Sequence, residues 1–413
     1  MIAYSIIFFV RPGLTFGFLR EIRFELIVGV FLLAIIFFSK EKLGLINIKR
    51  DPISSRLFVF LAVVVISMLF AVDFQTAYNR TIEFLKIYAF FLFIIAFIKD
   101  ERDLKIFLWT FAALLAWAAY EPLYNYIYKT EALISRADTV YAVAETGRGS
   151  GHVALGIYLC QGLSFSWYLT AYGRNHKAKI AGTILVALCL AGIFVSGSRG
   201  AFVGLLLFFI LITYFSKQRL KMALAGTILL VAALFFMGTG YRAWVSTISE
   251  LGDSDASASS RIAGLRHGLE MLVKRPMFGV GPGCYPVARK MWFGWGLWSH
   301  NVYGQLAGDL GIAGIISWSI FVYSYMKRAL YISRSFTDKS VYFLVSRVVI
   351  VANIVCLALG FFAHMLYGYI WYISAGLVIV CFRLIKSNHS STNPVTGLNK
   401  SHLPSVGTPL DAG

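Results

Sequence analysis

The chain has 413 residues, of which 58% are hydrophobic, 16% aromatic and only 14% charged, with a mean hydropathy of +0.72. Soluble domains use roughly 45–50% apolar and about 25% charged residues, so these proportions exclude one and indicate an integral membrane protein. The net charge of +18 calls for no nucleic acid partner, because most of the Lys and Arg residues flank apolar segments and set topology.

A bilayer is crossed by roughly 17–25 predominantly apolar residues. About twelve segments are read as spans: 1–10 extended by Leu14 to Phe18, 24–38, 57–72, 82–98, 104–119, 152–172, 180–196, 200–215, 222–238, 302–326, 341–363 and 366–382. Arg11 and Pro12 interrupt the first. No basic n-region and no small-residue cleavage site is present, so a removable signal peptide is not expected. The predicted fold is an all-α integral membrane protein of about 12 transmembrane helices with one large loop. It divides into 1–238 (spans one to nine), 239–300 (the loop), 301–386 (spans ten to twelve) and a tail, 387–413. That tail is rich in Ser, Thr, Asn and Pro and is expected to be disordered.

Of the 38 Lys and Arg residues, 22 fall in alternate loops and the tail: around Lys40 to Arg56, Lys99 to Lys105, Arg174 to Lys179, Lys217 to Lys221, Lys327 to Arg347, and Arg383 to Lys400. By the positive-inside rule these are cytoplasmic. Both termini are then inside and the long loop lies outside.

Five ionisable residues sit in or beside spans on the outer side: Glu83, Lys86, His152, Arg199 and Asp309. Such groups cost roughly 2.5–3.5 kcal/mol each on insertion scales and usually face a polar cavity or a partner. Glu83 and Lys86 are spaced to pair with each other at i,i+3 and reach the surface. Arg199 stands in the short turn SGSRGA, where Gly197 and Gly200 let the backbone approach another molecule.

The long loop, from about Tyr241 to Asn301, reads SASSRIAGLRHGLEMLVKRPMFGVGPGCY and closes on SHNVYGQLAGDLGIAG. Ser260 as N-cap and Pro276 as terminator predict a helix of about fourteen residues. Ile262, Leu265, Leu269 and Leu272 form its apolar stripe, as on a helix lying at a membrane surface. Arg261 and Arg266 border the stripe, and Gly264 and Gly268 leave the surface beside Arg261 bare. An arginine in a first helical turn, next to free N–H groups, makes an anion site suited to phosphate. The competing reading pairs Arg261 with Asp253 or Asp255.

Gly279, Gly281 and Gly283 read as a turn, since no strand precedes them as a dinucleotide fingerprint requires. Trp292, Trp295 and Trp298 suit a membrane-interface belt. His300 then stands at the rim of a span that carries Asp309. An imidazole with a pKa near 6.5 at that rim is a candidate general base for a hydroxyl nucleophile. Among Cys160, Cys189, Cys284, Cys356 and Cys381 only Cys284 falls in an outside loop. No Cys or His spacing matches a metal cage, and no cofactor is expected.

As an ordered set, SGSRGA, SSRIAGLRHGLEML, RPMFGVGPG and SHNVYGQLAGDLGIAG resemble the O-antigen ligase and polymerase superfamily. The resemblance implies a metal-independent, inverting glycosyltransferase of the GT-C class at the periplasmic face of a bacterial inner membrane. Its donor would be an undecaprenyl diphosphate-linked glycan and its acceptor the lipid A core, in lipopolysaccharide biosynthesis. Carried onto matching positions, Arg199 and Arg261 would bind the donor diphosphate and His300 would activate the acceptor hydroxyl or steady the leaving group. Arg266 could share the diphosphate role, with Lys86, Asp309 and Asn301 in support; the family commonly has Glu in place of Asp309. Polymerases of O-antigen or exopolysaccharide share the same blocks and differ in acceptor. The ligase is favoured by the single long loop and the compact length. A small-solute transporter would need a path through the bundle, yet the embedded acids Glu83 and Asp309 both lie on the outer side.

Overall fold

The computed structural model describes residues 2–10, 17–22, 24–38, 51–128, 151–173, 175–196, 198–236, 256–337 and 340–391. Among them the chain is helical, without strands. The helices are α1 (Ile2–Val10), α2 (Gly17–Glu21), α3 (Phe24–Phe38), α4 (Pro52–Leu69), α5 (Phe74–Phe97), α6 (Glu101–Trp117), α7 (Tyr120–Tyr128) and α8 (Gly151–Ala171). They continue with α9 (His176–Val195), α10 (Arg199–Phe215), α11 (Arg219–Phe236), α12 (Ala256–Lys274), α13 (Tyr285–Phe293), α14 (Val302–Ser335), α15 (Val341–Leu359) and α16 (Tyr369–Ser391).

The predicted segments overlap these helices, the first touching both α1 and α2. Six stretches, Pro52–Leu69, Glu101–Tyr128, His176–Val195, Val302–Ser335, Val341–Leu359 and Tyr369–Asn388, are long and apolar enough to cross a membrane, and Phe24–Ile36 and Arg199–Phe215 are shorter apolar helices. The protein is therefore a multi-pass, all-α membrane protein. Helix α1 has only 9 residues. Helix α5 has 24, with Arg80 and Glu83 in its first half and Lys86 just past its middle.

Polar caps define where the helices begin. Asp51, Asp73, Asp100, Asn175, Ser198, Asn301 and Ser340 each accept from backbone N–H groups of the helix that follows, which satisfies donors no intrahelical partner can reach. Helices α15 and α16 are buried along most of their length, whereas α9 is mostly exposed, as for a bundle with a central pair and a lipid-facing rim. Small residues let the helices close up. A Cβ on Gly182 would lie 2.3 Å from Thr170 Oγ1, and one on Gly156 2.4 Å from Ala201 Cβ. All five cysteines are free and buried.

Helix α12 corrects two expectations. It reaches back at least to Ala256, because the stretch ASASS contains no helix breaker. Ser260 is therefore an interior residue and Arg261 lies in the second turn, beyond the reach of the N-terminal dipole, which fades within one turn. Asp253 and Asp255, the alternative partners of Arg261, lie outside the described residues, as does the tail beyond Ser391; α16 itself continues past residue 386.

Candidate active site

The site is built where α12 and the segment 275–301 meet the start of α14. Helix α12 packs on α14 through its glycines: a Cβ on Gly264 would lie 1.8 Å from Ser299 O, and one on Gly268 2.3 Å from Gly304 O. The Tyr285 hydroxyl donates to Gly264 O. The glycine face is thus filled by neighbouring backbone rather than left bare. Of the apolar stripe, Ile262 and Leu269 point outward, 71% and 49% exposed, while Leu265 and Leu272 are half-buried.

Helix α14 is broken at Gly311, whose φ of 65° and ψ of −158° are non-helical. In an unbroken helix Ile312 N and Ala313 N would donate to the carbonyls of residues 308 and 309. Here they donate to Pro276 O (2.8 Å) and Met277 O (3.1 Å), while Gly308 O and Asp309 O accept from Val280 N (2.9 Å) and Gly281 N (3.0 Å). The segment 276–281 therefore replaces the hydrogen bonds that the break removes. Gly279, Gly281 and Gly283 all have positive φ, in keeping with the predicted turn. The Asp309 carboxylate fixes its far end, accepting from Gly283 N and Tyr285 N, both at 3.0 Å. Asp309 thereby holds this loop.

Asn301 caps α14 by accepting from Tyr303 N (2.9 Å) and Gly304 N (3.1 Å). That cap leaves His300 immediately before the helix with φ 47°, the one described non-glycine residue at positive φ. Such a conformation costs about 1–3 kcal/mol and persists only where surroundings impose it. Here Ser299 Oγ donates to Asn301 O at 2.7 Å, and buried Arg289 donates to Trp298 O at 3.0 Å. Burial, then the charges of Arg261 and Arg289, hold the His300 imidazole below its ordinary pKa. This favours the uncharged ring.

Around His300 three further groups assemble. His364, between α15 and α16, meets the His300 ring edge to face at 5.4 Å and stacks on Trp298 at 4.8 Å. Burial, His300 and Arg80 push its pKa down to about 3. Arg261 lies over Phe362 at 5.3 Å. Gly200, next to Arg199, packs on the same ring, since a Cβ there would lie 3.3 Å from Phe362 Cβ. Gly200 of α10 and Arg261 of α12 thus meet on Phe362.

On the other flank Arg80 lies 5.5 Å from the Trp298 ring and pairs with Glu83 at 2.9 Å. The expected Glu83–Lys86 pair is replaced by this one, since Arg80 is equally near along the helix and its fork favours a carboxylate. Lys86 lines a cleft of about 880 Å³ together with Arg80 and Trp298. Trp298 is therefore turned toward this group, whereas Trp295 is 67% exposed. Arg266 is exposed and pairs with Glu270 at 3.4 Å, about 140° around the helix from Arg261.

Reading the sequence missed Arg80, Arg289 and His364. Arg80 precedes an apolar run and looks like a flanking charge, and His364 stands alone in a short turn. Only their convergence on Trp298 and His300 marks them. Among the described residues no three His, Cys, Asp or Glu side chains group as a metal site. No curated protein matches the chain. Residues 184–319, from within α9 to the middle of α14, match the Wzy_C model, described as O-antigen ligase. This stretch, which contains Arg199, Arg261, His300 and Asp309, is thus similar to O-antigen ligases.

Proposed function

We propose that the protein is an O-antigen ligase, transferring glycan from undecaprenyl diphosphate to the lipid A core at the periplasmic face of the inner membrane. The observation that carries this reading is His300: an uncharged imidazole, held in a strained backbone conformation at a helix start, in the field of Arg261.

In this reaction the acceptor hydroxyl oxygen attacks the anomeric carbon from the face opposite the diphosphate. The hydroxyl proton passes to His300 as the carbon–oxygen bond to the diphosphate breaks, and the anomeric configuration inverts. The departing diphosphate carries concentrated negative charge, and Arg261 and Arg199 stabilise it where water is scarce. General-base help of this kind contributes typically 10²–10⁴-fold. The matching family domain supports ligase or polymerase chemistry; the long loop between α11 and α14 favours the ligase.

The test is transfer by the purified protein, without added metal, from an undecaprenyl diphosphate-linked glycan in the presence and absence of lipid A core. Product on lipid A core that disappears with His300→Ala supports the ligase. Lengthening of the lipid-linked glycan alone moves the protein to the polymerases, and absence of transfer in both formats removes the glycosyltransferase reading.

A further inference from the structure

Helix α13 turns one face inward. Tyr285, Ala288 and Arg289, spaced i, i+3 and i+4 and therefore side by side on a helix, are all buried, Arg289 with only 4% exposed. The helix starts without a cap of its own, since Cys284 makes no side-chain bond to it. Asp309 of α14 takes that place through Gly283 N and Tyr285 N, where a carboxylate also meets the positive end of the helix dipole. The two polar tips of the buried face then reach different segments. The Tyr285 hydroxyl donates to Gly264 O on α12, one turn after Arg261. Arg289 Nη1 donates to Trp298 O at 3.0 Å and to Leu297 O at 3.4 Å, just ahead of His300. Its Nε has no partner among the described residues, so one end of the fork makes this grip. Between the two tips the segments themselves touch, as a Cβ on Gly264 would lie 1.8 Å from Ser299 O.

The geometry points to α13 as a clamp that fixes Arg261 and His300 relative to each other, with Arg289 the positioning residue on the His300 side and Tyr285 on the Arg261 side. The inference rests on the reading of His300 as base and Arg261 as diphosphate ligand. A buried charge is a costly filler, whereas a planar guanidinium fork is suited to gripping two successive carbonyls in a fixed geometry. Those carbonyls lead directly into His300, whose positive φ has to be imposed by its surroundings. The charge reaches the ring as well. Charged and titratable groups face His300 from several elements: Arg261 of α12, Arg289 of α13 and His364 of the turn before α16, with Arg80 of α5 beyond His364. Arg289 therefore acts on His300 in two separable ways, through the backbone and through its field. Tyr285 acts through the backbone alone.

The experiment uses the full chain in nanodiscs with Arg289→Met, Arg289→Lys, Tyr285→Phe and the double variant Arg289→Met, Tyr285→Phe. In Arg289→Met kcat should fall about 10²-fold, as for roughly 1 Å of misplacement at a reacting group, while the donor KM stays within about threefold of wild type. The acidic limb of its pH–rate profile should move to higher pH. Arg289→Lys keeps the charge and loses the fork, so kcat falls with the limb at its wild-type position. Tyr285→Phe should likewise lower kcat without moving the limb; it removes one hydroxyl and keeps the buried ring, so it tests the clamp even where Arg289→Met fails to fold. The double variant should lose less than the product of the single losses, because both tips serve one helix. Wild-type kcat in Arg289→Met or Tyr285→Phe, a loss in the double variant equal to that product, or a raised donor KM at unchanged kcat overturns the proposal; the last would make Arg289 a donor ligand instead. Modification of His300 by diethyl pyrocarbonate, read by peptide mass against pH, needs no turnover. Its midpoint should rise in Arg289→Met and stay in place in Arg289→Lys, and an unmoved midpoint in Arg289→Met overturns the assignment of Arg289. Absence of transfer by the wild-type chain counts against the transferase reading alone, since the modification profile still reports on Arg289 and His300.

Discussion

His364 packs edge to face on His300, 5.4 Å between ring centroids, and its own two ring nitrogens have no hydrogen-bond partner among the described residues. A buried, unprotonated imidazole thus forms one wall for the ring that is proposed to take the proton. Trp298, stacked on His364 at 4.8 Å, keeps that wall in place.

Replacing His300 by Ala should lower transfer by roughly 10²–10⁴ if it is the general base, while donor binding, measured by titration with the lipid-linked glycan, stays within a few-fold of wild type. Arg261→Ala should weaken donor binding as well as turnover. Full activity of a folded His300→Ala protein removes His300 from the reaction.

The pH–rate profile carries a sign. The folded pKa of His300 lies below its ordinary value of 6.5, with burial first and Arg261 second among the causes. The unprotonated, active form therefore persists below pH 6.5, and activity falls only as pH drops through the lowered value. Arg261→Gln removes one depressing charge, so the acidic limb of the profile should move to higher pH. An unmoved limb in a variant with measurable residual turnover separates Arg261 from His300.

His364 should affect stability more than chemistry. Its folded pKa is pushed down to about 3 from 6.5, so its contribution is fully present above pH 6.5 and is lost as pH falls from 6.5 toward 3. His364→Phe keeps the stack on Trp298 and removes two unpartnered nitrogens, each costing about 1–3 kcal/mol when buried. Thermal unfolding in detergent should show an equal or higher midpoint at pH 7 and a smaller loss between pH 6.5 and 4. A steeper loss with Phe contradicts this assignment.

Gly264→Ala tests the packing of α12. Its Cβ would meet Ser299 O at 1.8 Å, so α12 or the Ser299–His300 backbone must move. Loss of turnover should exceed the change in donor affinity, because about 1 Å of misplacement at a reacting group can cost 10²-fold. Wild-type kinetics would show that Ser299 and His300 are not held by this contact.

Much of this arrangement is legible in the residues. Apolar runs locate the helices, Pro276 marks the end of α12, and the polar block from 256 to 301 marks the site. Its other end misleads, since ASASS reads as a capping signal yet lies within the helix. Gly264 and Gly268 read as bare because periodicity describes one helix and not the backbone that docks on it. Arg80 and His364 could not be found by spacing, as they reach Trp298 from helices far apart in the chain. The break at Gly311 leaves no apolar gap, so the span looks continuous from Val302 onward.

The exchange of hydrogen bonds between 276–281 and 308–313 also limits how the chain can be recombined or assembled. Residues 302–311 cannot adopt this form in hydrocarbon by themselves, because an unmet backbone group there costs several kcal/mol. The tenth apolar segment must then either enter the bilayer as an uninterrupted helix and be opened afterwards, or wait for the loop before it. A chimera that exchanges the loop without residues 308–313 leaves four peptide groups without partners, so 276–313 is the smallest block that can be moved between relatives intact.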